Sequence, residues 1–153
     1  MISRLDHYNI VTADMGRAVA FYTGLLGFRE AGRAVLEGEW IGAIVGLSGV
    51  RAEVVFLAPP DEGGPRLELL RYLSPEGEAI SAASLPNTVG LRHLAFRVDD
   101  IDAAVARLRD AGVKAGDPVT VPPGIVPGAT GTKRLCYFHD PDGVLLELAE
   151  YRP

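Results

Sequence analysis

Two imidazoles and two carboxylates recur at matched places in this chain. Leu5-x-His7 returns as Leu91-x-His93, and Leu67-Glu68-Leu69 returns as Leu146-Glu147-Leu148, in the same order. Neutral imidazole nitrogen and carboxylate oxygen together suit a divalent ion such as Zn, Ni, Co, Mn or Fe(II). A histidine alone in a strand is usually structural, and a lone strand glutamate is usually solvated or ion-paired. The chain has only three histidines, however, and two of them occupy equivalent repeat positions. That coincidence makes His7, Glu68, His93 and Glu147 candidate metal ligands, one histidine and one glutamate per copy. His139 has no repeat partner and reads as surface.

The elements that must position these groups are also duplicated. The segment from Leu5 to Phe28 matches the segment from Leu91 to Val113, with Asp14 falling on Asp100 and Val19 on Val105. The spacing slips by one at Gly27 and Gly112 and further at the glutamates, so the first copy carries extra residues in its middle. In the second copy Leu94, Phe96 and Val98 alternate with His93, Ala95 and Arg97, a period of two that marks a strand with unlike faces. Tyr8 and Ile10 alternate in the same way with His7 and Asn9. The histidines thus lie opposite the most apolar residues, and Asn9 and Ala95 leave room above them.

A helix follows in each copy. Asp14 and Asp100 suit N-caps, whose carboxylates accept from first-turn N–H groups. Ile101, Ala104, Val105 and Leu108, like Met15, Ala18, Val19 and Tyr22, fall on one helical face, and Gly112 and Gly27 mark the stops. Strands are expected over Ala52 to Leu57 and Arg66 to Tyr72, joined by the turn Pro59 to Pro65. The equivalent hairpin runs Leu135 to Phe138 and Val144 to Leu148 around Asp140-Pro141-Asp142-Gly143. An earlier strand is expected within Trp40 to Leu47. The order reads βαβββ twice, an α+β fold with residues 1–73 as the first module, 74–90 as a linker with room for a short helix, and 91–153 as the second module. The stretch from Gly116 to Lys133, with Gly128, Gly131 and Thr132, has the length and composition of a lid or binding loop.

Alternation puts Arg66, Glu68, Leu70 and Tyr72 on one strand face, and Leu145, Glu147, Ala149 and Tyr151 on one face of the other strand. Both glutamates share the histidine side. An unpaired carboxylate in an apolar strand costs several kcal/mol to bury, and a divalent cation resolves that cost. Arg97, on the His93 face, either holds a substrate carboxylate or phosphate or pairs with a nearby acid. Tyr72 and Tyr151 either line the site or pack.

The bulk numbers exclude several classes. At 153 residues the chain suits one domain or two half-size modules. No apolar run approaches the ~20 residues of a membrane helix, and the residues from Met1 to Asp6 lack a signal-peptide core. The single cysteine, Cys136, excludes an intrachain disulfide framework. A formal net charge of -5 argues against generic nucleic-acid binding. A cytoplasmic protein acting on a small molecule, with no nucleic-acid or membrane partner, is the expectation.

The segments Leu5 to Val11, Phe21 to Phe28, Leu91 to Ile101 and Asp140 to Leu148 together resemble the vicinal oxygen chelate superfamily, which contains glyoxalase I, bleomycin-resistance proteins and extradiol dioxygenases. The resemblance covers nearly the whole chain. It implies two tandem βαβββ modules whose curled mixed sheets form a metal-binding cup, commonly in a homodimer. Members similar to glyoxalase I bind metal through His, Glu, His and Glu in chain order, which His7, Glu68, His93 and Glu147 match. Methylmalonyl-CoA epimerases are also similar, though they usually carry Gln where Glu68 stands. The implied activity is that of a metal-dependent lyase or isomerase, moving a proton next to a carbonyl through a metal-stabilised enediolate or enolate. Glu147 would be the base, with Glu68 the symmetric candidate. Glu53 is either a third acid, as in epimerases, or an outward salt-bridged glutamate. Arg97, Asn9 and Tyr72 would contact substrate. The same superfamily also admits an Fe(II) ring-cleaving dioxygenase or a non-catalytic protein that binds an antibiotic or other ligand.

Overall fold

The computed structural model describes residues 1–61, 63–81, 85–126 and 131–153. The chain divides into two compact units, Met1–Ala79 and Ile80–Pro153. The first unit runs β1 (His7–Val11), α1 (Met15–Gly24), β2 (Arg29–Glu37), α2 (Glu39–Val45), β3 (Arg51–Ala58) and β4 (Arg66–Ser74). The second runs β5 (His93–Arg97), α3 (Ile101–Asp110), β6 (Val119–Val121), β7 (Thr132–His139) and β8 (Leu145–Arg152). Each unit holds one four-stranded sheet, ordered β1-β4-β3-β2 and β5-β8-β7-β6. The first strand of each unit pairs parallel with its last, and the remaining pairs are antiparallel. The class is α+β with mixed sheets, as the duplicated pattern implies.

The helices form where the pattern puts them. The Asp14 carboxylate accepts from the Arg17 N–H at 3.0 Å, and the Asp100 carboxylate from the Ala103 N–H at 2.9 Å. Each satisfies a donor that the first helical turn leaves without a partner. Their apolar faces cover the sheet faces opposite the histidines. Tyr22, Leu57, Leu67 and Leu69 are fully buried in the first unit, as are Ile101 and Leu146 in the second. The backbone turns out of the two helices at Gly27 and Gly112, with φ of +76° and +80°, a conformation glycine adopts without Cβ strain.

One expected strand is a helix. Trp40 to Val45 lies in α2, and the strand that precedes β3 is β2, earlier in the chain. Ile41 and Val45 stand one helical turn apart, and Ile41 is buried. Gly46 at φ +73° ends the helix by donating its N–H to Gly42 O. That strand carries no signal in the sequence because it is an edge strand, mostly exposed, with no apolar alternation. Helix α2 is thus the extra material of the first copy, and the second unit alone keeps the plain βαβββ order. A cleft of about 560 Å³ lies between Gly38 and Val50 and is lined by none of the candidate ligands. The described part of 74–90 contains no helix, and residues 82–84 lie outside the described residues. The lid expected over Gly116 to Lys133 holds β6, while Gly128 lies outside the described residues, as does Glu62 in the turn before β4.

A second carboxylate on β8 faces the helix side. Glu150 is 1% exposed. Its Oε1 accepts from the Ile101 N–H at 3.3 Å, at the start of α3, and from Arg152 at 3.0 Å. Arg134 reaches Glu150 Oε2 at 3.6 Å and donates to both oxygens of Asp102, at 2.6 and 2.8 Å. The buried charge is therefore compensated by two guanidinium groups and a helix N-terminus.

The Arg134 hydrogen bonds hold the Asp102 carboxyl below its ordinary value of 3.8. A depressed carboxylate contributes stability above its unfolded pKa and loses it as pH falls through the folded one. The urea midpoint of the protein is accordingly expected to exceed that of Asp102→Asn at about pH 5, and the gap to be narrower at about pH 2.5. An equal gap at both pH values would contradict this assignment.

Candidate metal centre

The parallel pairing decides where the candidate ligands stand. In the first unit His7 lies opposite Arg66 and Asn9 opposite Glu68. In the second, His93 lies opposite Leu145 and Ala95 opposite Glu147. Each histidine therefore precedes its glutamate by one pair on the same sheet face. His7 Nε2 is 3.6 Å from Glu68 Oε2, and His93 Nε2 is 3.4 Å from Glu147 Oε2.

These separations fit two ligands of one ion. Bonds of ~2.1 Å at a tetrahedral angle place the ligand atoms about 3.4 Å apart. Among the described residues no group of three or more His, Cys, Asp and Glu side chains is gathered as an ion's shell. Each unit presents a pair.

The two pairs are held differently. In the first, His7 Nδ1 is 2.9 Å from Asp6 Oδ2, and Arg66 donates to the same oxygen at 3.2 Å. The hydrogen bond from His7, followed by that from Arg66, holds Asp6 below the usual carboxylate range. A tautomer that donates from Nδ1 leaves the Nε2 lone pair facing the Glu68 carboxylate. Two acceptors face each other there, and a cation between them relieves the conflict. A carboxylate behind a ligating imidazole is also the arrangement that fixes its tautomer and ring orientation.

In the second pair the glutamate is the anchored partner. Glu147 is 3% exposed, and its Oε1 accepts from Lys133 Nζ at 3.0 Å, which leaves Oε2 toward His93. Burial acts to lower Lys133, but the Glu147 carboxylate outweighs it and holds the ammonium above its ordinary value. Tyr137 packs its ring 5.3 Å from that of His93. Burial, then the adjacent Glu147 charge, raises the Tyr137 hydroxyl.

The other sequence candidates divide. Arg97 lies opposite Ala149 on the Glu147 face, its guanidinium 5.3 Å from the Tyr151 ring centroid. Asn9 stands beside Glu68. Tyr72, on the Glu68 strand, pairs with Ala52 and is half-buried. Glu53 is not brought to them. Phe56 pairs with Glu68 while Glu53 pairs with Arg71, which puts Glu53 on the opposite sheet face. There, half-buried, it adds to the field on Arg33. His139 is exposed at the end of β7.

Asp6, Lys133 and Tyr137 touch the candidate ligands, and alternation within single segments does not single them out. The signal for the last two was present. The tight turn at Asp140–Gly143 fixes the hairpin register, and that register pairs Tyr137 with Glu147 and Lys133 with Tyr151.

A sequence profile of the glyoxalase/bleomycin resistance protein/dioxygenase superfamily matches residues 4–148. The chain belongs to that superfamily. It is 34% identical to the uncharacterized protein YaeR of Escherichia coli K12, over 97% of both chains. It is 33% identical to an ethylmalonyl-CoA/methylmalonyl-CoA epimerase of Cereibacter sphaeroides, over 98% of this chain and 99% of the other. The crystal structure of a glyoxalase-family protein from Bacillus cereus matches it with a TM-score of 0.81 at 33% identity, covering 98% of this chain and 95% of that one.

The Asp6 contact makes a prediction about His7 alone. At a pH where the imidazole is neutral, long-range proton–nitrogen NMR correlations are expected to place its proton on Nδ1, and Asp6→Ala is expected to abolish that preference. A proton on Nε2 in the unsubstituted protein would show that Asp6 does not orient the ring.

Proposed function

We propose that His7, Glu68, His93 and Glu147 together hold one divalent metal ion, and that the protein is an isomerase of the epimerase type, moving a proton on a carbon next to a carbonyl. The observation that carries this reading is the pair of His–Glu contacts at 3.6 and 3.4 Å, set by the same register in two units. The likeness to an ethylmalonyl-CoA/methylmalonyl-CoA epimerase at 33% identity over nearly full length supports the reaction class. A complete shell takes one pair from each kind of unit, supplied by one chain or by two copies in a homodimer.

When bound, the ion would supply Lewis-acid stabilisation to the oxygen on which negative charge develops, worth several kcal/mol. Two carboxylates would balance its double charge, and a proton passed from the substrate carbon to one of them would leave the site's net charge unchanged while negative charge moves to the substrate oxygen. The chain's own groups divide the remaining work. Glu68 is the more exposed of the two, with a side chain 16% accessible against 4% for Glu147. Methylmalonyl-CoA epimerases usually carry Gln at the place of Glu68, which suits a ligand that need not take up a proton. Glu147, whose Oε1 is held by Lys133 while its Oε2 faces His93, is then the proton acceptor. Asp6 holds His7 in the ligating tautomer.

Metal-loaded protein in D2O is expected to incorporate solvent deuterium at the acidic carbon of methylmalonyl-CoA or ethylmalonyl-CoA. Glu147→Gln should slow this exchange by about 100-fold or more, whereas Glu68→Gln, which installs the residue those epimerases usually carry there, should retain most of it. Asp6→Ala should weaken ion binding by roughly 10- to 100-fold. A metal-loaded protein that exchanges neither substrate, and instead consumes oxygen with a catechol and Fe(II), would replace this reading with ring cleavage.

A further inference from the structure

The duplication supplies an internal control for the second unit. Superposing the two registers sets Ala52 at the place of Lys133, Val11 at the place of Arg97, and Tyr72 at the place of Tyr151. The first unit thus carries two apolar side chains where the second carries two cations. Both cations lie near one ring, Arg97 at 5.3 Å and Lys133 at 5.6 Å from the Tyr151 centroid. Like charges around a single aromatic ring repel, and an acid beside each would offset that repulsion. Lys133 has Glu147. Among the described residues Arg97 makes its recorded contact with the Tyr151 ring and with no carboxylate. Its fork of N–H donors is available on the face that carries Glu147 and His93. The Lys133 ammonium has three donors, of which Glu147 takes one and the Tyr151 side chain another.

We propose that Arg97 and Lys133, seated on Tyr151, form an anion subsite that holds a compact oxyanion of the substrate, a carboxylate or a phosphate, beside Glu147. Arg97 would grip the group with two parallel N–H donors, as guanidinium does with planar oxyanions. Lys133 would add a point charge from the side nearest the reacting carbon. The 3.0 Å contact between Lys133 and Glu147 keeps the anion close to the ligand end of the strand, so the group it holds belongs within a few bonds of the carbonyl. The subsite deepens the reading of the protein as a proton-transferring isomerase and rests on it for the position of the reacting carbon. The anion contact itself needs no metal.

The test uses chelator-treated protein, with malonate and inorganic phosphate as separate calorimetric probes. Binding of at least one anion is expected, and the tighter of the two identifies the group the substrate carries. Arg97→Met and Lys133→Met should each weaken it by about tenfold, a 1.4 kcal/mol change, while Arg97→Lys should retain more affinity than Arg97→Met. Arg97 is exposed, so its replacement leaves the fold intact, which circular dichroism checks. Unchanged affinity in both methionine variants, or no binding of either anion by the unsubstituted protein, overturns the subsite. Anion binding that depends on Arg97 in a protein that takes up no metal would keep the subsite and overturn the metal reading instead.

Discussion

Parallel pairing of the first and last strand in each unit is the constraint from which the site follows. A parallel neighbour fixes which side chains stand abreast, and a slip of one residue would send the glutamate to the helix side. In both units the register sets the histidine one pair ahead of the glutamate. The helix-facing leucines lock that register, because Leu67 and Leu69, like Leu146 and Leu148, must stay under α1 and α3. The hydrophobic face and the polar face are therefore one decision. Burial of the leucines is what aims the carboxylates.

The halves keep this geometry and change its surroundings. Asp6 stands behind His7, while the same position before His93 is Arg92. Lys133 and Tyr137 stand around Glu147, where the first unit has Ala52 and Phe56. A buried carboxylate is tolerated only with compensating charge, and Lys133 provides it without occupying the oxygen that faces His93. The first pair is the more exposed and the less constrained. Duplicated candidate ligands set in unlike surroundings are a means by which two glutamates can be given different tasks.

Much of this was legible in the sequence. Period-two alternation gave the faces of β1, β4, β5 and β8, and the caps at Asp14 and Asp100 marked both long helices, because local chemistry decides those features. The helix α2 was misread as a strand because a run of apolar residues between glycines fits either element, and the exposed edge strand before it shows no pattern. Glu53 was drawn in by analogy, although counting register from Glu68 through the hairpin places it on the far face. Lys133 closes a Pro- and Gly-rich stretch in the sequence and lies at the start of β7 in the structure. Its role depends on cross-strand pairing, which alternation within a single segment does not reveal.

X-ray absorption on cobalt- or zinc-loaded protein, combined with metal analysis, tests the shared ion most directly. One ion per chain, with two imidazoles among nitrogen and oxygen scatterers at about 2.1 Å, is the expected result. Two ions per chain with a single imidazole each would show that the His–Glu pairs act separately, and would contradict a common centre.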